Sequence, residues 1–133
     1  MKSPASGAVV IVVEDEVIVR AATSHYLREA GCVVFEAATA EECLDLLTGK
    51  RPIDVVFADI RLPQRSGLEL ARMLQRTHPQ VGVVLTTGAR LAEPVPEGVT
   101  LLHKPYTLFE VERRIGLLRV RQHQQGRRSL GGV

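Results

Sequence analysis

Acidic residues follow two of the apolar runs in this chain. The acidic stretch EDE, residues 14–16, comes directly after the run Ala8 to Val13, and Asp59 ends the apolar part of VVFADIRLPQRSG. Carboxylates that lie close together repel each other unless a cation sits between them, and their oxygens suit a hard divalent ion. Mg²⁺ is the natural candidate, because it binds through few carboxylates and keeps waters that phosphate oxygens can replace.

A hydroxyl and an amine follow two further apolar runs. Thr87 comes after Val81 to Thr86, and Lys104 comes after Val99 to His103. A lysine ammonium and a threonine hydroxyl can each hold a phosphoryl oxygen. Together with the carboxylates they suggest a phosphoryl-transfer site in which one carboxylate is the nucleophile. Asp59 is the best placed, since its strand is apolar enough to be buried on both faces.

Each of these residues also has an ordinary structural explanation when it is taken alone. An acid can cap a helix or close an Asx turn, a threonine before glycine can lie in a turn, and Lys104 can begin a loop. Four strand ends with acid, acid, hydroxyl and ammonium in this order favour one shared site.

Apolar runs alternate with segments of helical periodicity along the chain. Strands are predicted at Ala8–Val13, Cys32–Phe35, Ile53–Ala58, Val81–Thr86 and Val99–His103, and helices at Val17–Ala30, Ala40–Leu47, Gly67–Arg76 and Leu108 to about Val120. The nearly continuous valine and isoleucine runs are typical of strands covered on both faces, so the pattern predicts a doubly wound, parallel α/β sheet. In such sheets the ligand site lies at the carboxyl ends of the strands.

The irregular parts of the chain set the predicted boundaries. Residues 88–99 contain two prolines and two glycines, so a fifth helix, fourth in chain order, is predicted to be short or irregular. Residues 1–7 are expected to form a flexible N-terminus and residues 122–133 a disordered basic tail. Residues 8–121 then form one domain, in keeping with a length of 133 residues.

Composition excludes several classes of protein. With 45% hydrophobic and 24% charged residues the chain is neither disordered nor a membrane protein. No run is long enough to span a bilayer and MKSPASG lacks a signal-peptide core, so a cytoplasmic location is expected. Cys32 and Cys43 show no zinc or disulfide spacing. The basic end, residues 113–133, has no aromatic residue for base stacking, and no direct binding of nucleic acid is expected.

Four ordered motifs make the sequence resemble the receiver domains of two-component response regulators over roughly residues 8–120. They are VVEDE with Glu14 and Asp15, ADIRLPQRSGLEL with Asp59, Leu62, Pro63 and Gly67, LTTG with Thr87, and HKPY with Lys104 and Pro105. The resemblance implies a flavodoxin-like sheet of five strands in the order 2-1-3-4-5. It also implies that Asp59 is phosphorylated by a histidine kinase or a histidine phosphotransfer protein.

Roles for the other residues follow from the same resemblance. Mg²⁺ would be held by Asp15, Asp59 and the backbone carbonyl of Arg61, and Glu14 would act through water. Lys104 would pair with the phosphoryl group on Asp59, and Thr87 would turn inward to bond it.

The expected function is a conformational switch and not an enzyme that turns over a metabolite. Leu101 stands where receivers often have an aromatic residue, which suggests that phosphorylation is sensed mainly through ordering of residues 88–98. The chain is expected to be a stand-alone receiver or one excised from a hybrid kinase, and the downstream target and a homodimer are left open. Two alternatives remain: an aspartyl-phosphate hydrolase and a receiver-like docking module that is not phosphorylated.

Overall fold

The computed structural model describes residues 2–91 and 93–131, with the backbone alone for Arg121 and residues 123–131. Within this part of the chain five strands alternate with four helices. The elements are β1 (Val9–Val13), α1 (Val17–Glu29), β2 (Val33–Ala37), α2 (Ala40–Leu47), β3 (Val55–Asp59), α3 (Gly67–Thr77), β4 (Gly82–Thr87), β5 (Thr100–His103) and α4 (Leu108–Gly131). No described helix is long and apolar enough to cross a membrane.

All neighbouring strands are parallel, and their order across the sheet is β2-β1-β3-β4-β5. The predicted doubly wound, flavodoxin-like sheet is therefore confirmed. Alternate residues of the central strands enter two separate cores. Val10, Val12 and Phe57 pack beneath α1 and α4, and Ile11 and Val56 pack beneath α2 and α3. Helices cover both faces, which explains why these strands are apolar at nearly every position.

The predicted fourth of five helices is absent from the described residues between β4 and β5. Prolines at 94 and 96 cannot supply the backbone N–H groups that a helix needs, so the chain crosses this gap without regular structure. The segment is held to α3 by a hydrogen bond from Gln75 Nε2 to the Glu97 carbonyl, 2.6 Å. Val95 and Val99 pack on the core beneath α2 and α3. A loop with a few apolar contacts thus replaces a helix.

The last helix is longer than predicted. Its backbone stays helical to Gly131, so the end expected near Val120 is wrong for the described backbone, while the disorder expected for residues 122–133 stays a prediction. Gln122 gives one physical reason, because its Nε2 donates to the carbonyls of Asp54 and Gln80, each at 2.8 Å. The helix is therefore tied to the sheet beyond the end of its apolar pattern. Residues 132–133 lie outside the described part, and the domain boundary at residue 121 stays a prediction.

The N-terminal segment, residues 2–7, is packed against the domain, although a flexible N-terminus was expected. Ala5 is fully buried, and Arg119 Nη1 donates to the carbonyl of Ser6 at 2.6 Å. The hydroxyl of Ser3 donates to a carboxylate oxygen of Glu112 on α4. Gly116 leaves the room that this segment needs, since a Cβ there would lie 2.7 Å from Pro4 Cβ. Short-range sequence patterns do not reveal such a contact, because it joins residues more than a hundred positions apart.

Candidate functional site

Asp59 is the last residue of β3, the strand at the centre of the sheet. The whole residue is only 8% exposed. The loop that follows folds back closely against it, because the Gly67 N–H donates to the Ile60 carbonyl at 2.9 Å. A Cβ at Gly67 would come within 2.4 Å of the Asp59 carbonyl oxygen, so no larger residue fits without a shift. Gly67 thus allows the close approach that supports Asp59.

Lys104 is brought to Asp59 by the register of the sheet. Asp59 pairs with Thr86 across β3 and β4, and Thr87 pairs with His103 across β4 and β5. Lys104 follows directly, and its Nζ donates to Asp59 Oδ2 at 2.8 Å. This hydrogen bond and the carboxylate charge raise the pKa of Lys104, although partial burial opposes the shift. The structure thus places the ammonium of Lys104 against the carboxylate of Asp59, and the predicted pairing of Lys104 with a phosphoryl group stays a prediction.

Glu14 lies one residue beyond β1 and is as buried as Asp59, at 8% exposure. Its N–H donates to the Ala37 carbonyl at 2.9 Å, which continues the β1–β2 ladder by one residue. Burial raises the pKa of Glu14 to about 7, with further contributions from a hydrogen bond to Asp15 and the negative charges of Asp59 and Asp15. Asp15 itself is exposed. Glu14 therefore lies close enough to Asp59 and to Asp15 to be affected by both negative charges.

Arg61 contributes its backbone to the site. Its N–H donates to Asp59 Oδ1 at 2.9 Å, so the two carboxylate oxygens of Asp59 bond different partners, one a backbone amide and the other Lys104. The Arg61 side chain is exposed. The carboxylate is oriented from both sides before any ligand binds, and this limits its rotation.

Thr87 ends β4 and is buried, next to buried Thr86. Among the described residues its hydroxyl bonds the backbone of Ala89, accepting from the N–H at 3.1 Å and donating to the carbonyl at 3.2 Å. The hydroxyl thus has a local partner in the loop after β4. Reorientation toward Asp59 would release the Ala89 backbone at the start of that loop.

The donor set fits Mg²⁺ by its chemistry. The described residues contain no group of three or more Asp, Glu, His or Cys side chains arranged to hold a metal. A magnesium ion needs only one or two carboxylates, with carbonyl and water oxygens completing the octahedron. Burial is the main cause of the raised pKa of Glu14, and the negative charges of Asp59 and Asp15 add to it. A dication placed among these carboxylates would relieve the repulsion between them.

The structure also assigns roles that the sequence did not reveal. Gly67 was noticed only as part of a motif, and its contact with the Asp59 backbone depends on how the loop folds back. Tyr106 packs edge-on against Phe57, with ring centroids 6.2 Å apart. The sequence signal for Gly67 was weak, since a glycine after a serine is common in loops, whereas packing of the Tyr106 ring at the start of the last helix was expected and only its partner Phe57 was not.

Comparisons with known proteins agree with this geometry. The response regulator receiver domain family matches residues 10–105. The transcriptional regulatory protein AruR of Pseudomonas aeruginosa is 40% identical over 86 residues, covering 59% of this chain and 34% of that protein. The sensor kinase CckA of Brucella abortus is 36% identical over 84 residues, covering 61% of this chain and 9% of that protein. The match thus spans about a third of AruR and less than a tenth of CckA.

A solved structure gives the same comparison at the level of the fold. The response regulator receiver domain protein of Clostridium thermocellum superposes with a TM-score of 0.81 at 27% identity. The match covers 89% of this chain and 98% of the other.

Proposed function

The chain belongs to the response regulator receiver domain family, and on that premise we propose that it is a phosphoacceptor switch phosphorylated on Asp59. The observation that supports this most is the contact between the nearly buried carboxylate of Asp59 and the ammonium of Lys104, 2.8 Å apart at the end of the central strand. The reaction needs a nucleophilic oxygen with a cation beside it, and this pair provides both.

The proposed step is an in-line displacement at phosphorus. A carboxylate oxygen of Asp59 forms a new P–O bond, and the bond from phosphorus to the donor breaks with its electron pair leaving on the donor nitrogen or oxygen. The donor is a phosphohistidine or a small phosphoryl compound. Lys104 then transfers its hydrogen bond from the carboxylate to a phosphoryl oxygen, because the new group has more negative charge.

Mg²⁺ is the proposed cofactor, and the residues that would hold it are Asp15, Asp59 and the Arg61 carbonyl, with Glu14 acting through water. When bound, it would supply charge neutralisation for the phosphoryl oxygens. Asp59 is kept in orientation by the Arg61 N–H at 2.9 Å. Burial at the sheet edge limits the access of water to the acceptor oxygen.

Thr87 is the proposed sensor of the new phosphoryl group. Its hydroxyl is hydrogen-bonded to the N–H and the carbonyl of Ala89. Its movement toward a phosphoryl oxygen would break these bonds and form a new one to the phosphoryl group. The loop after β4 is the element whose position would change. A signal read from this loop does not require an aromatic side chain at Leu101.

The proposed partners are a histidine kinase or a histidine phosphotransfer protein. Receivers occur in transcriptional regulators and in sensor kinases, as the names of the two relatives illustrate. A stand-alone receiver and a receiver from a hybrid kinase both fit this chain, and the downstream target is open. The expected cytoplasmic location and the possibility of a homodimer stay predictions.

Phosphorylation without a kinase tests the proposal. The protein is incubated with phosphoramidate or acetyl phosphate and Mg²⁺, and the intact mass is measured. We expect an adduct of about 80 Da, the mass of one phosphoryl group, that is lost in alkali or hydroxylamine as an acyl phosphate must be. Asp59→Asn should abolish it, whereas Asp45→Asn, at an exposed position of α2, should form it at the wild-type rate.

The same experiment separates the alternatives. An adduct that persists in Asp59→Asn would contradict the assignment of the acceptor. Rapid release of phosphate from phosphomonoesters would favour the hydrolase, and the absence of any adduct with all donors would favour the docking module. Omission of Mg²⁺ with excess chelator should lower the rate of adduct formation by at least tenfold.

A further inference from the structure

Arg20 extends from α1 toward the acidic end of β1. Its guanidinium is mostly enclosed, with the side chain 19% exposed. Nη1 donates to the backbone carbonyl of Glu14 at 2.8 Å, and Nε lies 3.5 Å from Glu36 Oε1 on β2. The guanidinium thus joins the first turns of α1 to the end of β1 and to the neighbouring edge strand.

This contact fixes a peptide that matters for the site. The Glu14 N–H is already bonded to the Ala37 carbonyl at 2.9 Å, and Glu14 Oε2 accepts the Glu16 N–H at 3.3 Å. With its carbonyl held by Arg20, Glu14 is constrained at both backbone groups and at its side chain. Fixing the plane of the peptide between Glu14 and Asp15 restricts ψ of Glu14 and φ of Asp15, and so restricts where the Cβ atoms of these two residues lie.

Glu36 orients Arg20 and shares its charge with a second arginine. Arg28 Nη1 lies 3.2 Å from Glu36 Oε2, and Arg28 Nη2 donates to the Val34 carbonyl at 3.0 Å. The two arginines therefore bond the same carboxylate and each bonds one backbone carbonyl. Only the carbonyl bonded by Arg20 belongs to the acidic pair. Arg28 is thus a matched control for the loss of an arginine–Glu36 pair.

We propose that Arg20 is a positioning residue for the metal-binding acidic pair, fixing the Glu14–Asp15 peptide through the Glu14 carbonyl. This inference rests on the proposed function, because it takes Glu14 and Asp15 as part of a Mg²⁺ site. The planar guanidinium can bond a carbonyl and a carboxylate at the same time in fixed directions, whereas a lysine ammonium is a point charge on a flexible stem. Charge alone would not orient the peptide.

Direct titration with Mg²⁺ in the absence of any phosphoryl donor tests this role. Binding is followed by NMR through the backbone amides of Asp59, Arg61 and Gly88, and thermal unfolding without metal checks that each variant is folded. We expect Arg20→Ala to weaken Mg²⁺ binding about tenfold, the usual range for residues that orient metal ligands. Arg20→Lys should weaken it by nearly as much, and Glu36→Gln by about threefold. Arg28→Ala should bind within about twofold of wild type.

The outcomes separate this inference from the function on which it rests. Mg²⁺ binding that is absent in the wild type, or unchanged in Asp15→Asn, would overturn the proposed site itself. Normal binding by the wild type and by a folded Arg20→Ala variant would overturn the role of Arg20 and leave the site intact. If Arg20→Lys binds Mg²⁺ with wild-type affinity, a positive charge at this position is sufficient. If Arg20→Ala and Arg28→Ala lose the same amount of Mg²⁺ affinity, the loss is a general effect of breaking an ion pair with Glu36. Either result would contradict positioning through the Glu14 carbonyl.

Discussion

The two ends of the sheet are built from different interactions. At the carboxyl edge, where the strands end, Asp59, Glu14 and Lys104 bring charges together, and the Lys104 side chain is 43% exposed. At the amino edge, where the strands begin, the N-terminal segment and the end of α4 close the molecule through backbone carbonyls. Arg119 bonds the Ser6 carbonyl there, and Gln122 bonds two further carbonyls.

The comparison shows that this domain places its candidate reactive groups at one end of the sheet and its long-range stabilising contacts at the other. The carboxyl edge keeps groups whose charges are incompletely balanced, which costs stability and favours ligand binding. The amino edge has hydrogen bonds to backbone carbonyls and from a hydroxyl between distant parts of the chain, and glycines at 31 and 116 make room for them. Changes at the amino edge should therefore alter unfolding, and changes at the carboxyl edge should alter phosphorylation as well.

Gly67→Ala should have the largest effect, because at the carboxyl edge it should lower both the unfolding free energy and the rate of phosphorylation. The added Cβ would lie 2.4 Å from the Asp59 carbonyl oxygen, and relief of such a contact should cost about 3 kcal/mol of unfolding free energy. Phosphorylation by phosphoramidate should slow more than about tenfold, since Asp59 must move. Chemical denaturation and intact-mass kinetics measure the two effects.

A matched glycine at the same edge is the control. A Cβ at Gly88 would meet Lys104 Cδ at 3.6 Å, an ordinary contact. Gly88→Ala should therefore change the unfolding free energy by less than about 1 kcal/mol. Equal destabilisation by the two substitutions would refute the special packing of Gly67.

Gly116→Ala should have the next largest effect, and its sign should depend on the N-terminal segment. In the full chain the Cβ would lie 2.7 Å from Pro4 Cβ, so we expect a loss of about 1–2 kcal/mol. In a chain without residues 1–6 the same substitution should stabilise α4 by about 0.5–1 kcal/mol, because alanine favours helix over glycine. A thermodynamic cycle of four proteins measures the reversal, and the same sign in both backgrounds would count against this packing.

Cys32 should make stability at the amino edge depend on pH. Burial raises its thiol pKa to about 11, with the negative charge of Glu112 adding to the shift and Arg119 opposing it. The folded state therefore keeps the thiol proton at pH values where the unfolded chain, with an ordinary pKa near 9, loses it. The stabilising contribution is full below pH 9 and decreases as the pH rises toward 11.

The unfolding free energies of wild type and Cys32→Ala isolate this contribution. Between pH 7 and pH 10 the wild type should lose about 1 kcal/mol more unfolding free energy than Cys32→Ala loses. The variant keeps all other titrating groups, so their effects cancel. A difference that does not vary with pH would mean that the thiol is not protected by burial.

The smallest expected effect concerns the loop between β4 and β5. Because Thr87 bonds the Ala89 backbone, binding of Mg²⁺ and beryllofluoride should alter amide exchange in residues 88–98 by a few-fold, corresponding to less than about 1 kcal/mol. Amides at the amino edge, such as Ala8 and Cys32, should exchange at unchanged rates. Unchanged loop exchange would exclude loop ordering as the way in which phosphorylation is sensed.

Sequence periodicity predicted most of the fold because it depends on burial. Strands covered on both faces must be apolar at nearly every position, so β1, β3 and β4 were located within one or two residues. The helix between β4 and β5 was predicted to be short or irregular, and the structure shows none in the described residues there. Proline removes backbone donors whatever its surroundings. The end of α4 was misplaced because Gln122 is held by carbonyls of β3 and β4 neighbours, which periodicity within a helix does not include.

The candidate site was predictable to the extent that strand ends converge. Parallel strands bring their carboxyl ends to one edge, so Asp59 and Lys104 could be expected together before their 2.8 Å contact was seen. The bonding of Thr87 to Ala89 and of Arg20 to the Glu14 carbonyl could not. Both depend on the orientation of individual peptides and side chains.

The sequence by itself determined the doubly wound sheet and the residue types at its carboxyl edge. Both follow from the hydrophobic pattern and from the alternation of strands and helices along the chain. Only the tertiary structure decided how those residues are held. Gly67 approaches the Asp59 backbone, Arg20 bonds the end of β1, and the N-terminal segment lies against α4. The first two contacts depend on how a loop and a helix fold back on the strand ends, and the third joins residues more than a hundred positions apart. Their geometry arises only when the packed elements fix where each side chain can reach.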